Sequence, residues 1–225
     1  MKIENLIKLG GSVTENRSVK ELKELGKSIY KNFQSSKNFV IVPGGGVFAD
    51  FVRKTQDVYG IDDESVHWMA IQAMDQNALL LRNFIPNSYL IDFNTSDFPK
   101  KVSNDKLPIL NVLQYMRLES TLDKSWDTTS DAIAAEIACQ LEVKRLIFVK
   151  DIDGVFVKDK FRKEITLDEL EQLESSPIDK ITPRILLNQN LKVYIVNGLY
   201  PKRINELIKE KEDTIATEII CKKVA

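Results

Sequence analysis

The stretch ENLIKLGGSVTEN, residues 4–16, runs an apolar segment straight into Lys8, Leu9, two glycines and a serine. A second stretch of the same kind, NFVIVPGGGVF, spans residues 38–48. Each reads as a short buried strand ending in a glycine-rich turn. In an open α/β sheet, ligands bind beyond the C-terminal ends of the strands, and both turns fall there. Glycine lets backbone N–H groups approach a ligand closely, and the N-terminus of a following helix adds partial positive charge. One such turn alone also reads as a tight strand-to-helix connection. Two of them read as cradles for two phosphate-bearing groups, a donor and an acceptor. Lys8 lies two residues before Gly10, so the two point to the same side of the strand. A lysine there either neutralises a transferring phosphoryl group or is a solvated strand-end residue.

Strands and helices alternate outward from these turns. Strands are expected at 4–9, 38–42, 88–92, 108–111, 145–150, in KVYIVNG (192–198) and near 217–221. A helix over 18–33 places Val19, Leu22, Leu25, Ile29 and Phe33 on one stripe. Further helices cover about 46–58, a long run from Asp62 or Asp63 to about Phe84, and a run starting near Ser130. Thr166 can cap LDELEQL, Pro183 sits in the first turn of another helix, and Pro201 opens the last. Residues of about 93–106, including FNTSDFPKKVSND, read as a polar loop. The alternation predicts an α/β fold with a largely parallel central sheet between helical layers. The chain, 1–225, reads as a single domain, with an acceptor-binding part over about 1–125 and a nucleotide-binding part over about 126–225.

Composition narrows the function. The chain has 225 residues and a net charge of -1, with both signs spread along it. No basic tract marks a nucleic-acid surface. No apolar run approaches the roughly 20 residues needed to span a bilayer, and no signal-peptide core follows the N-terminus. A cytoplasmic protein with neither nucleic-acid nor membrane partner is expected. Cys139, Cys221 and His67 cannot assemble a zinc site, so no direct ligation of a metal by the protein is expected. GGSVTENR lacks the G-K-[ST] of a P-loop and GGGVFAD the spacing of a dinucleotide fingerprint.

Two more runs carry chemistry. SWDTTSDAIAAEIACQLE, residues 125–142, places Asp127 and Asp131 four apart at a helix start. Asp131 either caps that helix or fixes lysine ammonium groups or a magnesium ion beside the phosphates. FVKDIDGVFVKD, residues 148–159, is an apolar strand ending in Lys150 and Asp151, then Asp153-Gly154. Asp-Gly signals a turn, as of a hairpin, over which a nucleotide base and ribose could sit.

Taken in order, IKLGGS, IVPGGG, DTTSDAIAA and KDIDGVF resemble the amino acid kinase family. The resemblance implies a three-layer αβα sandwich around a mainly parallel sheet, and an ATP- and Mg2+-dependent kinase. By that resemblance Lys8 stabilises the γ-phosphoryl group, and Gly10, Gly11 and Ser12 bind the ATP phosphates. Gly44, Gly45 and Gly46 hold the acceptor, Asp131 orients the lysines, and Asp127 is a nearby polar group on the acceptor side. Lys150, Asp151, Asp153 and Gly154 lie by the nucleotide. The family's late second lysine has no direct match; ITPRIL offers Arg184, with Lys180 as the alternative. Ala216-Thr217 stands where the family often has Gly-Thr, so the final loop is expected to be less tight.

The long helix, DDESVHWMAIQAMDQNALLLRNF (62–84), is apolar on two sides. It reads either as core plus an oligomer partner or as placing His67 or Trp68 at the acceptor pocket. Together with SWDTTSDAIAA it resembles an archaeal branch of the family that phosphorylates a furan-bearing phosphate monoester to a diphosphate. Asp75, seven residues after Trp68, is then a candidate for the ammonium of such an acceptor. Uridylate and isopentenyl phosphate kinases of the same family are the alternatives. A non-catalytic nucleotide- or anion-binding protein on this fold is the alternative outside the kinases.

Overall fold

The computed structural model describes residues 3–222 apart from 16, 37 and 104. Elements follow in chain order as β1 (Asn5–Leu9), α1 (Val19–Ser36), β2 (Phe39–Pro43), α2 (Gly46–Tyr59), α3 (Asp63–Arg82), β3 (Ser88–Asp92) and α4 (Phe98–Lys101). Next come β4 (Leu107–Asn111), α5 (Leu113–Leu118), α6 (Ser130–Gln140), β5 (Arg145–Lys150), β6 (Val155–Val157), β7 (Lys160–Arg162) and β8 (Glu164–Thr166). The chain closes with α7 (Leu167–Glu171), α8 (Thr182–Leu186), β9 (Lys192–Asn197), α9 (Lys202–Ile208) and β10 (Ala216–Ile220).

The central sheet has eight strands in the order β3-β4-β2-β1-β5-β9-β10-β8. Every pairing is parallel except β9 with β10. The expected fold class stands: a mainly parallel sheet between helical layers. β1 and β2 are buried at every position, as strands covered on both faces must be. One face carries Leu6, Val40, Val42 and Phe148 against α6, α7 and α8. The other carries Ile7, Leu9, Ile41 and Val149 against α1 and α9. Side chains alternate along a strand, so Lys8 shares the face of Leu6 and projects toward the layer that contains α6. β1 also marks where the strand order reverses: the chain moves from β1 to β2 on one side and returns to β5 on the other. That reversal opens a crevice at the strand ends.

Helix ends follow the expected chemistry. Asp62 accepts the Ser65 N–H at 2.8 Å and starts α3, and Gly60 closes α2 at φ 62. Thr166 and Glu169 form a reciprocal capping box on α7. Three readings need correction. The stretch 93–106 is not merely a polar loop: it contains α4, and Phe93 and Phe98 are fully buried and meet edge-on. The hairpin near Asp153-Gly154 is β6–β7, and it turns at Lys158 and Asp159, both at positive φ, rather than at Asp-Gly. Ala216 and Thr217 lie inside β10 and are buried, so they form no loose loop.

The apolar residues of α3 are largely covered within the chain, with Leu79 left exposed. Ile71 and Met74 join one core and Ala78 and Leu81 the other, while Val66 and Ala73 pack on Val52 of α2. Asp75, considered for a ligand ammonium, instead accepts the Val112 N–H at 2.7 Å and the Leu113 N–H at 3.4 Å, fixing the turn from β4 into α5. Burial raises its carboxyl to about 6, against those two hydrogen bonds. A carboxyl raised in the fold contributes stability that is fully present below about pH 4 and is lost as pH rises through 6. Asp75→Asn lacks this titration. Chemical denaturation at pH 4 to 7 should show the variant gaining on the wild type as pH rises; parallel profiles would remove Asp75 as the cause.

Candidate active site

The two glycine turns meet. Gly44 N–H donates to Leu9 O at 2.7 Å, and Gly10 N–H donates to Val149 O at 2.9 Å, which stitches both turns to the ends of β1 and β5. A Cβ on Gly11 would stand 2.8 Å from both Cα and N of Gly46. No side chain fits between these backbones. Gly46 adopts φ 54 as α2 begins, a conformation glycine takes at little cost. Ser12 follows within a single 3₁₀ turn, Gly11–Val13. Asn77, fully buried in α3, donates from Nδ2 to Gly44 O at 2.6 Å. That bond holds the second loop's carbonyl inward. Sequence reading passed over Asn77, because its role depends on α3 crossing behind the loop.

Behind the loops lies a buried charge cluster. Lys8 Nζ is 2.5 Å from Asp131 Oδ1 and Lys150 Nζ is 2.6 Å from Asp131 Oδ2. Lys8 is 3% exposed and Asp131 5%. Burial pushes the Lys8 ammonium below the usual lysine range while Asp131 pulls it back up. For Asp131, burial favours the neutral acid, but the two ammonium groups outweigh it and hold the carboxyl below the usual range. Lys150, expected beside the nucleotide, is thus the second lysine on Asp131. Arg184 and Lys180, the candidates for that part, are both exposed, and neither makes an ion pair among the described residues.

Asp131 does not cap its helix. Thr129 is the N-cap, and its Oγ1 accepts the Asp131 N–H at 3.1 Å while donating to Asp179. Asp179 Oδ2 also accepts the Ala132 N–H at 3.1 Å, and its Oδ1 accepts the Ile181 and Thr182 N–H groups at 2.9 and 2.7 Å. One carboxylate therefore closes the N-terminus of α6 and folds the turn into α8. Its one local sign in the sequence is the Asx-turn signal of an aspartate three residues before Thr182-Pro183.

On the side expected to hold the nucleotide, Asp153 accepts from Asn197 Nδ2 at 2.9 Å and pairs with Arg203, whose guanidinium lies 4.2 Å from the Tyr200 ring centroid. Gly154 sits at φ 141, where a Cβ would run into Thr217 Oγ1. Thr217 Oγ1 accepts the Val155 N–H at 2.8 Å and donates to Arg162 O at 2.6 Å, tying the hairpin to β10. Asp151 is exposed. Asn197, Tyr200 and Arg203 were not singled out in the sequence, since they reach this place only through the β5–β9 pairing.

On the other side, a cavity of about 80 Å³ opens beside Gly45, lined by His67, Ile71, Met74, Trp126 and Arg53 among others. His67 therefore lies at the cavity. Trp68 does not: the next residue on a helix turns about 100° away, and its ring packs toward Arg117 and Lys124, each 5.5 Å from its centroid. Trp126, quoted but not chosen in the sequence, takes the aromatic place; its indole N–H donates to Gln56 Oε1 at 2.7 Å and Arg53 lies over its ring. Asp127 is exposed next to it.

Two glycine turns in contact, beside a buried lysine–aspartate–lysine cluster, form the candidate site. The amino acid kinase family model matches residues 5–197, and the chain belongs to that family. It is 29% identical over 222 residues to [5-(aminomethyl)furan-3-yl]methyl phosphate kinase of Methanocaldococcus jannaschii, covering 96% of this chain and 97% of that protein. Uridylate kinase of Archaeoglobus fulgidus is 24% identical over 220 residues, 91% of this chain and 94% of that one. The crystal structure of uridylate kinase from Archaeoglobus fulgidus superposes with a TM-score of 0.76 at 22% identity, covering 97% and 100% of the two chains. That of UMP kinase from Bacillus anthracis gives 0.77 at 17% identity, covering 96% and 95%.

Removing Lys8 leaves Asp131 still paired with Lys150. Lys8→Ala is expected to retain the fold by circular dichroism and to lose kinase turnover. Asp131→Asn leaves two ammonium groups unbalanced, and kcat should fall about 100-fold or more, with the KM for ATP changing far less. Turnover preserved in a folded Lys8→Ala protein would contradict the roles given to the cluster.

Proposed function

We propose that this chain transfers the γ-phosphoryl group of MgATP to a phosphate monoester, giving a diphosphate, and that the monoester is [5-(aminomethyl)furan-3-yl]methyl phosphate. The observation that carries the reaction type is the contact of the two glycine loops at Gly11 and Gly46. The N–H groups of Gly10 and Gly44 are taken by Val149 O and Leu9 O, so in this reading the anion-binding N–H groups are those of Gly11, Ser12, Gly45 and Gly46. What supports the particular acceptor is the match to the Methanocaldococcus jannaschii enzyme along nearly the full length of both chains. A small cavity walled by Trp126, Ile71 and Met74 also suits a flat ring.

In this reading Gly10, Gly11 and Ser12 hold the ATP phosphates and Gly44, Gly45 and Gly46 the acceptor phosphate. An acceptor phosphate oxygen attacks the γ-phosphorus, the bond from that phosphorus to the β–γ bridging oxygen breaks, and ADP leaves. The nucleophile is already anionic, so no general base is needed. The obstacle is repulsion between two highly charged groups, and catalysis is positioning and charge neutralisation. Lys8 and Lys150, aligned by Asp131, supply positive charge at the crevice. The described residues offer no cluster of three or more His, Cys, Asp or Glu for a metal. Mg2+ enters this reading as an ion carried by the nucleotide phosphates and water, where it would neutralise phosphate charge.

Asp153 and Gly154, braced by Asn197 and Thr217, border the base and ribose, with Asp151 at the rim. Asp127, exposed beside Trp126, takes the rim of the acceptor cavity. The reading includes a cytoplasmic location, where ATP is at hand; among the described residues no helix is long and apolar enough to cross a membrane. It also includes self-association through α2 and α3, where Val47, Phe51, Val58 and Leu79 are exposed.

Phosphorus NMR with MgATP and a panel of monoesters tests the proposal. The furan phosphate should give a new diphosphate signal that uridylate and isopentenyl phosphate do not. A signal only with uridylate would keep the kinase and discard the furan acceptor. No diphosphate with any member would discard the reaction type.

A further inference from the structure

His67 is the one histidine of the chain, and it is 2% exposed in α3. Its Nδ1 lies 3.2 Å from the carbonyl oxygen of Ser125. A carbonyl oxygen only accepts, so the geometry assigns the proton to Nδ1. Burial lowers the pKa of the ring, and nearby Lys124 adds to the shift. The imidazole is then neutral at pH 7, and Nε2 carries a lone pair. That Nε2 is buried and has no hydrogen-bond partner.

The same side chain lines the cavity beside Gly45. Ala49, Ala70, Ile71 and Met74 in those walls offer no side-chain donor. Arg53, the cation at the cavity, is already paired with Asp50 at 2.6 Å. A buried acceptor left unsatisfied is costly in a folded protein, and a bound donor at this place would remove the cost. Further acceptors stand nearby. Thr128 Oγ1 also lines the cavity and gives its proton to Asp123 O at 2.5 Å, which leaves its lone pairs free. The Ser125 carbonyl has a second lone pair beside the one used by His67. The lining also carries donors, the Ser125 and Ser130 hydroxyls and the remaining N–H groups of Arg53, so it is the unpartnered Nε2 that calls for a ligand donor.

We propose that His67 determines acceptor specificity by taking a hydrogen bond on Nε2 from an N–H donor of the acceptor, and that this donor is the ammonium of a primary amine. The inference rests on reading this cavity as the acceptor site. An ammonium carries three N–H donors and no acceptor, and it is the donor group that the acceptor proposed above carries. The imide N–H of a pyrimidine is the other source of such a donor, but it brings two carbonyls that themselves require donors.

The experiment compares the aminomethylfuran phosphate with the same molecule bearing methyl in place of aminomethyl, on the wild type and on His67→Leu. Wild type should favour the amine by about 10- to 100-fold in kcat/KM, the discrimination of one hydrogen bond to a charged group. His67→Leu should bring that ratio to within about threefold of one. A folded His67→Leu protein that keeps the wild-type ratio overturns the inference and leaves the proposed reaction standing. A second readout needs no variant. The Nε2 ¹⁵N resonance, which belongs to a single imidazole, should shift on adding the amine and stay in place with the methyl analogue. Equal shifts with both overturn the inference. Turnover of uridylate and of neither furan compound overturns both the ammonium and the furan acceptor.

Discussion

One carboxylate, Asp131, holds two lysine ammonium groups in a site almost closed to water. Two like charges in a low-dielectric interior repel strongly, and each alone would lose its proton or its place. Between them a carboxylate turns repulsion into a bridge. The arrangement demands that α6 begin over the ends of β1 and β5, because Lys8 and Lys150 come from those adjacent strands. It also demands that Asp131 be free of capping duty, and Thr129 and Asp179 take that duty instead. The charge cluster and the helix start are therefore one construction.

The glycine loops answer a related electrostatic need. Two phosphate groups can be brought together only where donors surround them and side chains do not intrude. The Gly11–Gly46 approach shows backbone against backbone, with Asn77 holding Gly44 from behind. Preorganised N–H groups of this kind need no rearrangement when charge shifts during transfer. The two glycine loops thus share a wall.

The fold is shared with uridylate kinases at 22% identity or less, so it says little about the acceptor. In the proposed reading, discrimination comes from the few side chains over the second loop. In this chain they are His67 from α3, Arg53 and Gln56 from α2, and Trp126 from the segment before α6. Three separate elements converge there, and a change in any one can alter the acceptor without disturbing the sheet.

Much of this protein was legible in its residues. The alternation of apolar strands with amphipathic helices determined the mainly parallel sheet, and glycines after two strands marked where two backbone turns meet. Those signals are local: period, cap and turn chemistry act over a few residues. The sequence alone singled out Lys8 and Asp131 too, because each stands beside such a signal. Other features waited for tertiary structure. Phe93 and Phe98 were hidden in a polar stretch, since two aromatics anchor a segment only when a core is present to receive them. Lys150 became the partner of Asp131, and Arg184 stayed in solvent, because strand register fixes which cation reaches the carboxylate. Trp126 replaced Trp68 at the cavity, and Asp75 turned to backbone N–H groups of another element. Sequence determined where backbone could cradle an anion. Only the folded chain decided which side chains, far apart along it, face that cradle, because their meeting depends on long-range pairing rather than on neighbours in the chain.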